Sequence, residues 1–151
     1  MSDDDARRRR KQRELREARS DKSSYERSKS DAERSYDENS EKIDRLKQVK
    51  YTLGIKKGEA KSQYSQLKNY AGDFCGNQDW TGDKFTKVTG TLNNTIVTEY
   101  DKYVDRIDEV LDAVCDKITE LENKNYQLHG DILHFVSCIN SLINKIEKLC
   151  N

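Results

Sequence analysis

The chain has 151 residues, of which 37% are charged and 33% hydrophobic, with a mean hydropathy of −1.08 and no net charge. No apolar run approaches the roughly 20 residues that a membrane span needs, so we expect no membrane insertion. The apolar fraction is also low for a globule with a thick core. Proline is absent, so nothing in the chain forces a helix to break. We therefore expect long helices that share a thin core.

The N-terminus is rich in Asp and Arg and lacks the apolar stretch of a secretory signal peptide, so we expect the chain to begin in the cytoplasm. The chain has four cysteines: Cys75, Cys115, Cys138 and Cys150. On a continuous helix Cys115 and Cys138 would lie roughly 35 Å apart. A disulfide needs Cα atoms within about 7 Å. We therefore expect reduced thiols.

Residues 1–24 form a charged segment with few apolar side chains. We expect a frayed helix or a flexible arm there, because nothing in the segment offers an apolar face to bury. Its basic run, from Arg7 to Arg13, resembles some nucleic-acid-binding segments. The run is short, flanked by acids and free of aromatic residues, so we expect a solvated tail and no nucleic-acid binding.

Residues 25–151 are predicted to form an antiparallel two-helix hairpin. The first helix, residues 25–71, follows a weak heptad pattern of small and aromatic side chains. Lys29, Asn39, Lys50 and Lys57 interrupt that pattern. Residues 72–83 contain three glycines together with Asn and Asp, which predicts a helix end, a turn and a new helix start.

The second helix, residues 84–150, carries the most regular pattern in the chain. Two heptad columns run along it, and thirteen of their fourteen positions are apolar. The columns are Val104, Leu111, Ile118, Asn125, Ile132, Ile139, Ile146 and Ile107, Val114, Leu121, Leu128, Phe135, Leu142, Leu149. This spacing predicts an all-α, coiled-coil-like fold, in which the lone Asn125 fixes the helix register at some cost in stability.

The apolar surface widens near the C-terminus and forms what we call the C-terminal strip. Its members are Leu128, Ile132, Leu133, Phe135, Val136, Ile139, Leu142, Ile143, Ile146 and Leu149. Antiparallel pairing about the predicted turn places Ile107 opposite the region of Val49 and residues 132–149 opposite residues 7–24. Because residues 7–24 have almost no apolar side chains, we expect the strip to be a partner interface. Self-association in a homodimer would cover the same strip.

We expect no catalytic, cofactor-binding or metal-binding residues. The sequence has no glycine-rich phosphate loop and no HExxH motif, and His129 and His134 do not share a helix face. His134 and Cys138 are one turn apart and match two positions of a zinc site, but two ligands do not make a site. A two-helix rod offers no cavity for a substrate, so the chain is not expected to be an enzyme.

A family resemblance rests on the turn. Trp80, Thr81 and Gly82 form a W-x-G tripeptide between two long helices, as in the WXG100 superfamily of small helical hairpins of bacterial type VII secretion. The stretch from Asp79 to Phe85 and the segment YDKYVDRIDEVLDAVCDKITEL resemble more closely the YwqH-like family of that superfamily, whose members are encoded beside LXG-domain toxins. The resemblance covers roughly residues 25–150 and makes Trp80 and Gly82 the turn motif. Gly82 would permit a tight helix start, and Trp80 would either cap the core or face a partner.

The resemblance implies a bacterial accessory protein. It would bind the helical N-terminal region of an LXG toxin, together with a second small helical hairpin protein, and help to present the complex to the secretion machine. It would reside in the bacterial cytoplasm, with export alongside the toxin left open. The alternative is a homodimeric coiled-coil structural protein without a role in secretion.

One departure from the superfamily bears on its role. WXG100 export signals pair a Tyr or Phe with an acid four residues later, and no Tyr or Phe in this chain has one. Tyr100, for example, is followed at that distance by Val104. The resemblance therefore implies an adaptor or chaperone that carries no export signal of its own.

Overall fold

A computed structural model describes residues 2–76 and 81–151, and the regular elements within these ranges are helices. Helix α1 spans Asp3–Cys75, α2 spans Asp83–Thr91, a π-helical segment spans Leu92–Val97, and α3 spans Thr98–Cys150. The long helices pack against each other, so the chain is an all-α helical hairpin, as predicted. Among the described residues, no helix combines the length and the apolar character that crossing a bilayer requires.

The first helix begins much earlier than predicted. It starts at Asp3, not at residue 25. The Ser2 side chain supplies the start, because its Oγ accepts a hydrogen bond from the backbone N–H of Asp5 at 3.3 Å and donates one to Asp5 Oδ2 at 3.0 Å. A serine oxygen that accepts from a backbone N–H of the first turn stabilises a helix N-terminus, and acids in that turn interact favourably with the helix dipole. The sequence pattern Ser-x-x-Asp at residues 2–5 carried this signal.

The same segment also buries a side chain, contrary to the prediction that it had no face to bury. Ala18 is only 1% exposed, and Leu15 is half-buried. A small alanine is enough here because it lets a neighbouring helix approach closely. The flexibility expected of residues 1–24 stays a prediction.

The hairpin end differs in detail from the prediction. Helix α1 continues four residues beyond residue 71, to Cys75, and α2 begins at Asp83. The predicted turn of residues 72–83 is correspondingly shorter. The predicted second helix is interrupted by the π-helical segment, where the Thr98 hydroxyl donates to the carbonyl of Asn93, five residues earlier, at 3.2 Å.

The described chain divides into two compact units, one of which comprises Asp44–Thr119. Its buried apolar residues are Ala60, Ala71, Val104 and Ile118. Aromatic pairs join the two sides of the unit, with Tyr64 stacked on Tyr100 at a ring-centroid distance of 6.3 Å and Phe74 against Phe85 at 5.8 Å. The Tyr100 hydroxyl also donates to Gln63 Oε1 at 2.6 Å. This unit therefore combines a thin apolar seam with aromatic contacts.

The polar interruption at Lys57 has a structural explanation. Its ammonium group forms an ion pair with Asp108 on the opposite side of the same unit. The hydrogen bond to Asp108 is the main cause that raises the pKa of Lys57 above its ordinary value of 10.5. A raised lysine pKa favours the folded state at every pH below the ordinary value, and this contribution is lost only as the pH rises through the folded-state pKa.

The second unit comprises the residues up to Ile43 together with Glu120–Asn151. Its buried apolar residues are Ala18, Ala32, Ile43 and Leu121, and Asn125 is buried among them at 8% exposure. On α3, every buried residue in either unit belongs to the predicted heptad columns. The heptad pattern therefore located the buried face of α3 correctly.

Asn125 makes the predicted core polar contact. Its Nδ2 donates to the Tyr36 carbonyl at 3.2 Å and to Ser40 Oγ at 3.0 Å. Its Oδ1 is buried without a hydrogen-bond partner among the described residues. A half-satisfied amide fixes the pairing of the helices but costs stability.

Replacing Asn125 with Leu is expected to raise the free energy of unfolding by about 1 kcal/mol, because it removes the orphaned buried oxygen. Its partners stay bonded to each other, since Ser40 Oγ also donates to the Tyr36 carbonyl at 2.9 Å. Urea unfolding followed by circular dichroism measures the change. Asn123→Leu, at an exposed position nearby, is the control and should change stability by less than about 0.5 kcal/mol. A clear loss of stability in Asn125→Leu would contradict this expectation.

The pairing register also differs from the prediction. Asp108 bonds to Lys57, whereas the prediction placed its neighbour Ile107 opposite the region of Val49. In the other unit, Ile143 and Ile146 line a groove together with side chains from Arg19 to Glu26. Two features change the pairing. Helix α1 ends later than predicted, at Cys75, and the π-helical segment accommodates an extra residue. Both changes place each α3 residue opposite a later residue of α1.

Candidate partner-binding surface

The C-terminal strip is incompletely covered within its own unit. None of its ten residues is buried: eight are half-buried, Leu133 is 56% exposed and Ile143 is 36% exposed. Between residue 126 and the C-terminus, α3 therefore contributes no fully buried side chain. Apolar side chains left partly in water over several helical turns are typical of an interface.

The α1 side of this unit explains the incomplete cover. Tyr25 of α1 contacts Phe135 of the strip at a ring-centroid distance of 6.2 Å. The neighbouring half-buried positions of α1 include Lys22 and Lys29, whose ammonium groups pair with Glu26 at 2.9 Å and with Glu33 at 3.5 Å. Lysine stems shield apolar surface while their charged ends stay in water, so they cover the strip only in part.

An open groove of about 410 Å³ lies where the strip meets α1. Its lining residues are Arg19, Lys22, Ser23, Glu26, Ile143, Ile146 and Glu147. The groove thus combines two isoleucines of the strip with charges of both signs. A partner helix with an apolar face and polar flanks would fit both components. Helix α1 therefore covers the predicted interface in part, and the remaining apolar surface of the strip faces solvent.

A second apolar groove, of about 390 Å³, lies in the other unit and was not predicted as a surface from the sequence. Its lining residues are Tyr70, Phe74, Lys87, Val88, Thr91, Leu92 and Ile96. The signal available in the sequence was the spacing of Val88, Leu92 and Ile96, which repeats every four residues along one helix face. Such spacing is typical of a buried helix face, whereas Val88 is 44% and Ile96 46% exposed.

Of the two turn-motif residues, Trp80 and Gly82, the structure describes only Gly82. Trp80 lies outside the described residues. Gly82 precedes α2 with φ 108° and ψ −177°, a backbone conformation that is essentially restricted to glycine. The Gly82 carbonyl accepts hydrogen bonds from the backbone N–H of Thr86 at 3.0 Å and from its hydroxyl at 3.1 Å. Gly82 therefore permits the helix start that the resemblance implied.

Gly82→Ala is expected to lower the free energy of unfolding by about 1–3 kcal/mol, because a Cβ strains this backbone conformation. Gly54→Ala is a matched control of opposite sign. Gly54 lies inside α1 with open space where the added methyl group would lie, so alanine should stabilise the helix by about 1 kcal/mol. Thermal unfolding of both variants measures the two changes in stability, which should be opposite in sign. A neutral Gly82→Ala would mean that the turn relaxes without cost.

The residues considered for metal binding are in contact. His134 Nε2 lies 3.6 Å from Cys138 Sγ, within hydrogen-bonding distance for sulfur. In the part of the chain that the structure describes, no group of three or more His, Cys, Asp or Glu side chains is arranged to hold a metal ion. All four cysteines lie in the described ranges and are free thiols.

Comparison with known protein families places this geometry in context. The YwqH-like family model matches residues 20–144. The chain belongs to the YwqH-like family. The match spans most of both long helices and includes the C-terminal strip as far as Ile143, whereas Ile146 and Leu149 lie beyond it. No curated protein and no solved structure matches the chain.

Proposed function

We propose that this YwqH-like protein is a non-enzymatic accessory protein that binds the helical N-terminal domain of an LXG-domain toxin for type VII secretion. The observation that carries the proposal is the C-terminal strip, ten apolar residues of which eight are only half-buried and two are exposed. Family membership supports the choice of partner. The family resemblance described above links YwqH-like proteins to LXG toxins, and the helical N-terminal domain of such a toxin would pack against the strip on α3.

The contact would form by helix packing. A partner helix laid along α3 would cover the exposed parts of Leu133 and Ile143 and complete the burial of Phe135 and Ile139. Each square ångström of apolar surface removed from water contributes about 25 cal/mol before the costs of association. The toxin domain would also be stabilised, because its own apolar helix face would be covered and protected from aggregation until export.

The position of the export signal supports an adaptor role. Since no Tyr or Phe in the chain is followed by an acid four residues later, a signal of that type would come from another subunit. We propose that a second small helical hairpin protein joins the complex and that the assembled bundle is presented to the secretion machine. The complex would assemble in the bacterial cytoplasm and leave with this chain or without it.

Co-purification tests the proposal. The chain is co-expressed with the N-terminal domain of an LXG toxin from the same genome, with a tag on the toxin domain only. We expect the untagged chain to be retained through washes at high salt, because an apolar interface is weakly screened. An untagged chain that is lost in the washes would argue against the proposal. A stable homodimer of the chain that excludes the toxin domain would favour the structural coiled-coil alternative, in which a second copy covers the same strip.

A further inference from the structure

A stripe of basic side chains runs along the face of α1 that lines the groove beside the C-terminal strip. Eleven residues complete about three turns of an α-helix, so side chains at that spacing share a face. Arg8 precedes Arg19 by eleven residues, and both lie on α1. Lys11 precedes Lys22 by the same number. We call these four residues the basic stripe. Because Arg19 and Lys22 line the groove with Ile146, the stripe continues the groove toward the N-terminus.

The N-terminal half of the basic stripe is available to another molecule. Arg8 and Lys11 are exposed, as are all residues from 2 to 13. Among the described residues neither of them forms an ion pair, whereas Lys22 pairs with Glu26 at 2.9 Å. Like charges at neighbouring positions repel each other. Carboxylates of a partner would therefore gain an attraction at Arg8 and Lys11 that the chain itself does not neutralise.

The surroundings of the stripe favour an acidic protein segment over a nucleic acid. The first turn of α1 carries Asp3, Asp4 and Asp5, which would repel a continuous row of phosphates next to the stripe. Residues 2–24 contain no aromatic side chain on which a base could stack. The stripe instead continues into a groove lined by Ile143 and Ile146, so one partner helix would contact both the apolar and the basic surface.

We propose that the basic stripe binds an acidic segment of the LXG toxin domain, next to the apolar helix face of that domain that covers the C-terminal strip. The inference rests on the proposed function and adds the chemistry of the partner. Apolar side chains of the toxin helix pack on Ile143 and Ile146, and its carboxylates pair with Arg8 and Lys11.

This arrangement fixes the direction of the toxin helix. Arg8 lies three turns, or roughly 16 Å, from Arg19 in the groove, so the acidic segment and the apolar segment of the partner must follow each other in one order. Charges at the rim of an interface act mainly on the association rate, whereas buried apolar contacts act mainly on the dissociation rate. The stripe therefore speeds the encounter, and the strip holds the complex together.

Binding kinetics of the full-length chain with the toxin N-terminal domain, at about 50 mM and about 500 mM NaCl, test the inference, because salt screens exposed charges. Combining Arg8→Glu with Lys11→Glu should slow association at least about tenfold at the lower salt concentration. At the higher concentration the difference from the wild type should fall below about twofold, and the dissociation rate should change by less than about threefold at either. Far-ultraviolet circular dichroism verifies that the variant stays helical.

The matched control combines Arg27→Glu with Lys42→Glu, which makes the same change of charge at exposed positions of α1 outside the basic stripe. Its association rate should stay within about threefold of the wild type. An equal loss in both double variants would attribute the effect to net charge and overturn the inference.

The remaining outcomes separate this inference from the proposed function. A wild-type chain that does not bind the toxin domain at either salt concentration would refute the proposed function, and the inference with it. A toxin domain that binds the wild type and the Arg8→Glu, Lys11→Glu variant at the same rate would refute the inference alone. If that variant instead loses binding to duplex DNA while its toxin association is unchanged, the stripe serves a nucleic acid and the inference is overturned.

Discussion

Combining Leu133→Asp with Ile143→Asp is expected to weaken binding of the LXG toxin domain by at least about a hundredfold. Buried apolar anchors at the centre of an interface typically contribute about 2 kcal/mol or more each, and 1.4 kcal/mol corresponds to a factor of ten in affinity. A carboxylate adds the cost of burying a charge against the partner helix. Leu133 and Ile143 are the two exposed members of the C-terminal strip, so the change should leave the isolated hairpin folded. Isothermal titration calorimetry measures the loss of affinity.

The control for this variant combines Val110→Asp with Tyr126→Asp. These residues are 52% and 82% exposed on the same helix and lie outside the strip. Affinity should change by less than about threefold, since surface substitutions away from an interface have small effects. If both double variants bind as the wild type does, the strip is not the contact surface. If both lose binding equally, the effect reflects charge and not position.

Leu121→Ala is expected to cost about 2–4 kcal/mol of folding free energy. Leu121 is 5% exposed and is one of the few large apolar side chains that are buried among the described residues. Removing its isobutyl group loses apolar burial and leaves a cavity between helices that already share a thin core. Small proteins are stable by only about 5–15 kcal/mol in total, so this loss should be obvious in urea unfolding.

Leu133→Ala is the matched control, because it makes the same chemical change at a position that is 56% exposed. Its expected cost is below about 0.5 kcal/mol in the isolated chain. Equal effects of the two substitutions would contradict the assignment of Leu121 to the core. It would also mean that the heptad columns do not mark the packed face of α3.

The second helix was the most predictable part of the fold. A strict heptad repeat has few alternative structures, and the buried residues Val104, Ile118, Leu121 and Asn125 all fall in its columns. Asn125 was also predicted to fix the register, and it bonds across the hairpin to Tyr36 and Ser40. Family membership was likewise predictable in part, since the turn and the helix that follows it carry the resemblance to YwqH-like proteins.

The first helix was less predictable because its pairing side uses small residues. Ala18, Ala32, Ala60 and Ala71 are all buried, yet alanine is common on exposed helix faces as well and gives a weak pattern. The early start of α1 depends on a single cap at Ser2. The register was missed because a late helix end and a π-helical segment both change the count of residues around the turn, and heptad patterns do not report either feature.

The candidate surface was predictable as a set of residues, but its exposure was not. The composition of residues 7–24 predicted that they would leave the strip uncovered, whereas Ala18, Tyr25 and the lysine stems of α1 cover it in part. The contact between His134 and Cys138 followed from their spacing.

Light scattering during size-exclusion chromatography tests the central claim most directly. The chain is run alone and with an equimolar amount of the LXG toxin N-terminal domain. We expect the mixture to elute as a single species whose mass includes both proteins, and this species to be absent when Leu133→Asp and Ile143→Asp are present. A chain whose mass is unchanged by the toxin domain, whether monomer or homodimer, would contradict the proposed role.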